Sequence, residues 1–221
     1  RQRIDSAVRD IGVPVLVGAV VDAPGGHVLN RGIVWDPVTG PGATYDKRHP
    51  VPFGEYIPLR RLVRQLSDKV DLVARDFAAG TRPGVLQVGR VRVGDVICFE
   101  VAYDRLVRDV VTAGGRLLVV QTNNATFGRS GQTSQQLAMS RLRAVEHGRA
   151  VLVAATSGVS AVIAPDGALQ QRSGVFSRAL LVAQVPVRGG RTVATRLGAL
   201  PELVLVLSGV AALVVAVGRR R

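Results

Sequence analysis

The chain contains a single cysteine, at a position that suits a nucleophile. Cys98 ends an apolar strand predicted for residues 91–98, and a helix is predicted soon afterwards. At such a strand-to-helix turn a thiol is pushed into the open, and nearby helix N–H groups favour the thiolate. The alternative is a small buried hydrophobe, as most free cysteines are. Cys98 alone leaves both interpretations open, and neither nearby histidine has an obvious claim to be its base.

A second candidate lies in the proline-rich segment YDKRHPVPFGEYIP, residues 45–58. Lys47 is one of only two lysines among 29 basic residues. A compact ammonium group can stabilise an oxyanion in a buried site where a guanidinium would be too bulky. Glu55 follows eight residues later, in a loop that the prolines stiffen. A surface loop with a solvated ion pair is the alternative, and the spacing alone does not decide.

The third candidate is QTNNATFG, residues 121–128, which follows an apolar run. Ligand clefts of α/β sheets form after such strands. Asn123 and Asn124 are therefore candidates to donate hydrogen bonds to a substrate carbonyl. They fit a turn equally well.

Composition and charge limit the function classes. With 221 residues, 47% of them hydrophobic, the chain can bury one sizeable core and is not disordered. One cysteine and three scattered histidines disfavour a disulfide framework and a zinc site. The net charge of +13 indicates an anionic membrane surface, a nucleic acid, or merely an arginine-biased surface. Nucleic acid is the weaker option, because no basic run alternates with aromatic residues.

Hydrophobic periodicity predicts an α/β domain with a mixed sheet covered by helices. We expect helices over residues 1–11, 57–66, 103–113 and 132–147. We expect strands over residues 13–21, 27–35, 91–98, 116–122, 150–156, 159–165 and 179–187.

The C-terminal end predicts a membrane segment. Residues 197–217 are almost entirely apolar, and three arginines follow at 219–221. About 20 apolar residues span a bilayer, and arginines beside a span mark its cytoplasmic end. We therefore expect a domain over residues 1–190 outside the cytoplasm, a transmembrane helix over 197–217 and a basic cytoplasmic tail over 218–221. A buried core helix is the alternative.

Four separated motifs, in order, resemble the carbon-nitrogen hydrolase (nitrilase) superfamily. They are YDKRHPVPFGEY at 45–56, ICFE at 97–100, TNNATFG at 122–128 and RLRAVE at 141–146. Together with the apolar C-terminal segment, they resemble its membrane-bound lipoprotein acyltransferases in particular. The resemblance covers nearly the whole chain and implies an αββα sandwich on the outer face of the plasma membrane.

The resemblance also implies roles for individual residues. Cys98 matches the nucleophile and Lys47 the lysine that stabilises the oxyanion. Glu55 matches a second glutamate that orients the site, and Glu100 matches the acidic residue two positions after the cysteine. The substrate-contacting residues are then predicted to be Phe53, Phe99, Asn123 and Asn124.

The implied reaction transfers a fatty acyl group. A phospholipid of the membrane donates it to the cysteine as a thioester, and the N-terminal amine of a diacylglyceryl-cysteine lipoprotein accepts it. No metal or organic cofactor is implied, and nucleic acid is not an expected partner. The complete protein would cross the plasma membrane several times.

One motif of the family is not among these 221 residues. It is a Trp-Pro-Glu type segment that carries the general base, and the family places several membrane helices before it. We therefore expect this chain to be the C-terminal part of such an enzyme and to be inactive alone. The alternatives are a nitrilase-like amidase that passes the acyl group to water, a catalytically dead membrane-anchored binding module, and a basic protein of lipid surfaces.

Overall fold

A computed structural model describes residues 1–219, without the side chain of Lys69. The helices are α1 (Gln2–Ile11), α2 (Arg60–Val63), α3 (Asp104–Thr112), α4 (Gln132–His147), α5 (Val193–Leu197) and α6 (Leu200–Gly218). The strands are β1 (Val15–Asp22), β2 (Val28–Asp36), β3 (Gly40–Asp46), β4 (Val85–Val88), β5 (Val91–Ile97), β6 (Leu117–Thr122), β7 (Val151–Ala155), β8 (Ala161–Ile163) and β9 (Leu169–Arg172).

The strands form two sheets. The first has the order β1-β2-β3, and all its pairs are antiparallel. The second runs from β4 to β9 in chain order, and its central strands β5, β6 and β7 are parallel. Parallel strands are covered on both faces, which explains why their sequences are nearly continuous apolar runs.

Apolar side chains join four layers. On the outer face of the first sheet, Val8 of α1 packs against Ile33 and Trp35 of β2. Between the sheets, Val34 of β2 packs with Ile97 of β5. Helices α3 and α4 cover the outer face of the second sheet with a cluster of buried aliphatic residues. The architecture is α-β-β-α, so the predicted sandwich is confirmed.

Three details of the secondary-structure prediction were wrong. Residues 179–187 form no strand, and within them only Leu181 and Val185 are half-buried. Strands β3, β4 and β9 were not predicted, because short segments such as GPGATYD have little strand propensity of their own and depend on pairing with a neighbour. The helix predicted over 57–66 is confined to α2.

Helix α6 is long and apolar enough to cross a membrane, and its side chains are exposed. Residues 198 and 199 separate it from α5. The division into a domain over 1–190, a transmembrane helix over 197–217 and a basic tail over 218–221 stays a prediction. Arg220 and Arg221 of that tail lie outside the described residues.

Candidate active site

Cys98 lies at a sharp turn between β5 and α3. Its φ of 55° is in the left-handed region, and a 3₁₀ turn over Cys98–Ala102 follows. A non-glycine residue in this region costs about 1–3 kcal/mol and persists where the surroundings hold it. The thiol is half-buried and faces a cavity. The predicted strand-to-helix turn is therefore present, and it presents the sulfur to open space.

Glu100 ties this turn to the proline-rich loop. The side chain is fully buried, and Oε2 accepts a hydrogen bond from the Ile97 amide at 2.8 Å. Oε1 accepts from the amides of Arg48 at 2.7 Å and His49 at 3.1 Å. The Tyr45 hydroxyl donates across both oxygens at 2.9 and 3.0 Å. One carboxyl group thus fixes the turn at Cys98 relative to residues 45–49.

The surroundings of Glu100 suit its ionised form. Burial raises the pKa of Glu100, and its hydrogen-bond donors oppose that rise. Burial and the neighbouring Glu100 raise the pKa of Tyr45 far above its usual range, so this hydroxyl keeps its proton and donates it. Since each group that contacts the two carboxyl oxygens is a donor, a carboxylate satisfies all of them.

Lys47 and Glu55 form a buried ion pair. Lys47 is 1% exposed, and Nζ lies 2.8 and 2.7 Å from Oε1 and Oε2 of Glu55. Asn30 Nδ2 donates to Oε1 at 2.5 Å, and the Val51 amide donates to Oε2 at 2.7 Å. A buried lysine without a partner would be costly, and the carboxylate of Glu55 pairs with this one. Glu55 therefore fixes the position of the ammonium group, and its role in a reaction stays a prediction.

A cavity of about 480 Å³ brings Cys98 and Glu55 to a common space. This volume is in the range of small-molecule sites. The lining includes the apolar side chains of Leu16, Val20 and Val119. The polar lining residues are Asn30, Arg31, Glu55, Gln121, Thr122, Asn123, Thr156 and Ser160.

The four predicted substrate residues do not converge. Asn123 lines the cavity, whereas Asn124 is buried and accepts a hydrogen bond from Thr122 at 2.6 Å. Phe53 is 64% exposed, and Phe99 packs edge-on against Tyr103. Neither phenylalanine lines the cavity. Their contact with substrate stays a prediction.

Two polar side chains that contact Glu55 and Cys98 were not predicted. Asn30, near the start of β2, donates to Glu55, and Gln136 of α4 donates from Nε2 to the Cys98 sulfur at 3.7 Å. Gln136 is buried although it lies in a helix segment rich in polar residues. A lone asparagine in an apolar strand was a usable signal, whereas nothing in the helix sequence distinguished Gln136 from Gln135.

The family profile of carbon-nitrogen hydrolases matches residues 1–195. The chain belongs to the carbon-nitrogen hydrolase family. Among solved carbon-nitrogen hydrolases, the chain is similar to an amidase from Nesterenkonia sp. AN1, with a TM-score of 0.56 and 20% identity over 79% of this chain and 64% of that one. A carbon-nitrogen hydrolase from Helicobacter pylori gives a TM-score of 0.58 with 14% identity over 77% of this chain and 61% of that one. These two likenesses concern the fold.

The curated relatives that the chain matches share one name. An apolipoprotein N-acyltransferase of Mycolicibacterium smegmatis is 44% identical over 97% of this chain and 37% of its own length. Those of Azotobacter vinelandii and Geobacter metallireducens are 35% and 33% identical over 99% and 89% of this chain. The chain covers 42% and 38% of these two proteins, so it spans less than half of the relatives it matches.

Proposed function

We propose that this chain carries the nucleophile of an apolipoprotein N-acyltransferase, which moves a fatty acyl group from a membrane phospholipid to the N-terminal amine of a lipoprotein. The observation that carries the proposal is the strained turn at Cys98, which faces the same cavity as Glu55, the partner of the buried Lys47. The 44% identity to a relative of that name supports it over other reactions of the family.

In the first half-reaction the Cys98 thiolate attacks the ester carbonyl of the phospholipid. A carbon–sulfur bond forms, the carbon–oxygen bond breaks, and the lysophospholipid leaves after its oxygen takes up a proton. Lys47 is the proposed stabiliser of the negative charge on the tetrahedral oxygen. Glu55 holds the ammonium in place through two short contacts. We assign the general base to no residue of this chain.

In the second half-reaction the lipoprotein amine attacks the thioester. A carbon–nitrogen bond forms, the amine loses a proton, and the carbon–sulfur bond breaks to restore the thiolate. Asn123, which lines the cavity, is the proposed donor to the acyl carbonyl. Asn124, Phe53 and Phe99 complete the proposed substrate contacts through the loops that flank the cavity.

Both proposed substrates are lipids or are attached to lipids, so the site must lie at a membrane. Helix α6 supports this, because 19 apolar-rich residues with exposed side chains match the thickness of a bilayer core. We propose that α6 crosses the plasma membrane, with the domain outside and the C-terminus in the cytoplasm. We also propose that the complete protein crosses the membrane several times.

The test is a mass spectrum of Cys98 from protein isolated out of the membranes of its own cells at mildly acid pH. Trypsin releases Cys98 in the peptide 93–105. We expect a fatty-acyl mass on this peptide that neutral hydroxylamine removes, as it removes thioesters. The matched Cys98→Ala protein should carry no such mass.

The second arm supplies phospholipid vesicles and a peptide with an N-terminal diacylglyceryl-cysteine. The proposal expects N-acylated peptide and lysophospholipid in equal amounts. Release of free fatty acid instead would assign the family's hydrolytic reaction to this chain. Cys98 without an adduct under any lipid supply would mean a binding module with a dead site.

A further inference from the structure

The Cys98 sulfur contacts Gln136, a side chain that the proposed reaction does not yet use. Gln136 Nε2 donates a hydrogen bond to Sγ at 3.7 Å, within the reach of a sulfur acceptor. Among the described residues it is the one side chain that donates to this sulfur. Lys47, by contrast, gives two of its ammonium protons to Glu55. The direct contact to the nucleophile therefore comes from a neutral amide on a helix.

The position of Gln136 is fixed by its surroundings. The residue is 4% exposed and lies in the second turn of α4, whose Ala144 packs into the core of the second sheet. Its Oε1 lies 3.3 Å from the Thr122 hydroxyl oxygen, whose single proton goes to Asn124 Oδ1 at 2.6 Å. The amide nitrogen faces the sulfur.

We propose that Gln136 is a catalytic residue that stabilises the Cys98 thiolate by this N–H···S hydrogen bond and aims the sulfur into the cavity. The inference rests on the proposed function, in which Cys98 is the nucleophile. A hydrogen bond to the charged form of a group favours that form. The bond serves twice in one cycle, since the thiolate is both the attacking group and the leaving group.

The test uses alkylation of Cys98 by iodoacetamide, which reacts with the thiolate and needs neither lipid nor acceptor. The rate is followed from pH 6 to 9 on the peptide 93–105. Gln136→Met keeps the length of the side chain without its donor, and Gln136→Glu keeps the shape but turns an acceptor toward the sulfur. Gln135→Leu, at the exposed neighbouring position, is the matched control.

We expect Gln136→Met to slow alkylation at pH 7 by about tenfold, which is the loss expected for one hydrogen bond to a charged group. The midpoint of its pH profile should move to higher pH by about one unit. Gln136→Glu should move it further, because a carboxylate repels the thiolate. Gln135→Leu should stay within about twofold of the unchanged protein, and in denaturant all four proteins should react at one rate.

Equal profiles for Gln136→Met and Gln135→Leu would overturn the inference. If Gln136→Met fails to fold, the isosteric Gln136→Glu decides by the same profile. The acyl adduct on Cys98 separates the two proposals. If the alkylation rate depends on Gln136 but Cys98 carries no acyl adduct, the hydrogen bond is supported and the acyl transfer is rejected. If Cys98 carries the adduct but the alkylation profiles do not change, the acyl transfer is supported and the role of Gln136 is rejected.

Discussion

Two buried carboxyl groups flank Cys98, and their hydrogen-bond partners differ. Asp95 and Glu100 are both 0% exposed, three residues before and two residues after Cys98. Glu100 receives three backbone N–H groups and a tyrosine hydroxyl. Asp95 faces the space between the sheets, where Gln121 Nε2 donates to Oδ1 at 2.9 Å. Its Oδ2 has no hydrogen-bond partner among the described residues.

The difference indicates that the number of donors distinguishes two carboxyl groups that are equally buried. Burial raises the pKa of Asp95 to about 7; the Gln121 hydrogen bond and the Val96 amide oppose this rise, and the charge of Glu100 adds to it. Gly32 of β2 lies opposite, and a Cβ there would come within 1.8 Å of Oδ2, so this oxygen fits only against a glycine. Glu100 holds two loops together, whereas Asp95 is a neutral acid at mildly acid pH.

The largest expected effect follows from replacing Asp95 by asparagine. Because the folded pKa lies above the usual 3.8, the folded protein binds more protons than the unfolded chain between pH 4 and 7. Its free energy of unfolding therefore falls as the pH rises through that window, by about 4 kcal/mol from this group. Asp95→Asn should lose this fall, which urea unfolding in detergent at about pH 3.5 and pH 8 measures.

The control is Asp10→Asn, an exposed position on α1. Other buried groups titrate as well, since burial lowers the pKa of His147 to about 4 and thereby favours the folded state at higher pH. The difference between unchanged protein and Asp95→Asn removes such shared contributions. Parallel pH profiles for these two proteins would contradict the assignment to Asp95.

The second-largest effect is expected from replacing Glu100. Glu100→Gln keeps the size of the side chain but turns an NH₂ group toward backbone donors, which then lack an acceptor. We expect a loss of roughly 3 kcal/mol in the free energy of unfolding at pH 8. Glu202→Gln, exposed in the first turn of α6, should change it by less than about 0.5 kcal/mol. Equal unfolding midpoints would show that Glu100 does not hold the two loops.

The sequence predicted one of these carboxyl groups and missed the other. Glu100 was found because it belongs to the ICFE motif. Asp95 lies within VRVGDVIC, where a lone acid in an apolar strand was itself a signal of a special environment. Its neutral state depends on Gln121 and Gly32, which lie on other strands, and sequence spacing carries no information about such contacts. The contacts of Asn30 with Glu55 and of Gln136 with Cys98 were missed for the same reason.

The predicted fold was most accurate where the periodicity was strong. Strands β1, β2, β5, β6 and β7 and helices α3 and α4 have continuous or amphipathic apolar patterns, and each was located. The strand expected over residues 179–187 has an equally apolar sequence but pairs with no neighbour. Apolar composition predicts burial in a strand only when a sheet edge is available, and this depends on the tertiary structure.

The smallest effect is expected from removing the Tyr45 hydroxyl, one of the donors to Glu100. Tyr45→Phe removes one hydroxyl and leaves the three backbone N–H groups and the buried ring in place. We expect a loss of about 1 kcal/mol in the free energy of unfolding at pH 8, which is the value of a single hydrogen bond.

Tyr103→Phe is the control, because among the described residues the Tyr103 hydroxyl makes no hydrogen bond. Equal losses in both variants would mean that removing a tyrosine hydroxyl has the same cost without an acceptor, so donation to Glu100 would not explain the effect. A loss as large as that of Glu100→Gln would mean that the hydroxyl alone keeps this carboxylate charged, and the contrast with Asp95 would then rest on Tyr45 rather than on the number of donors.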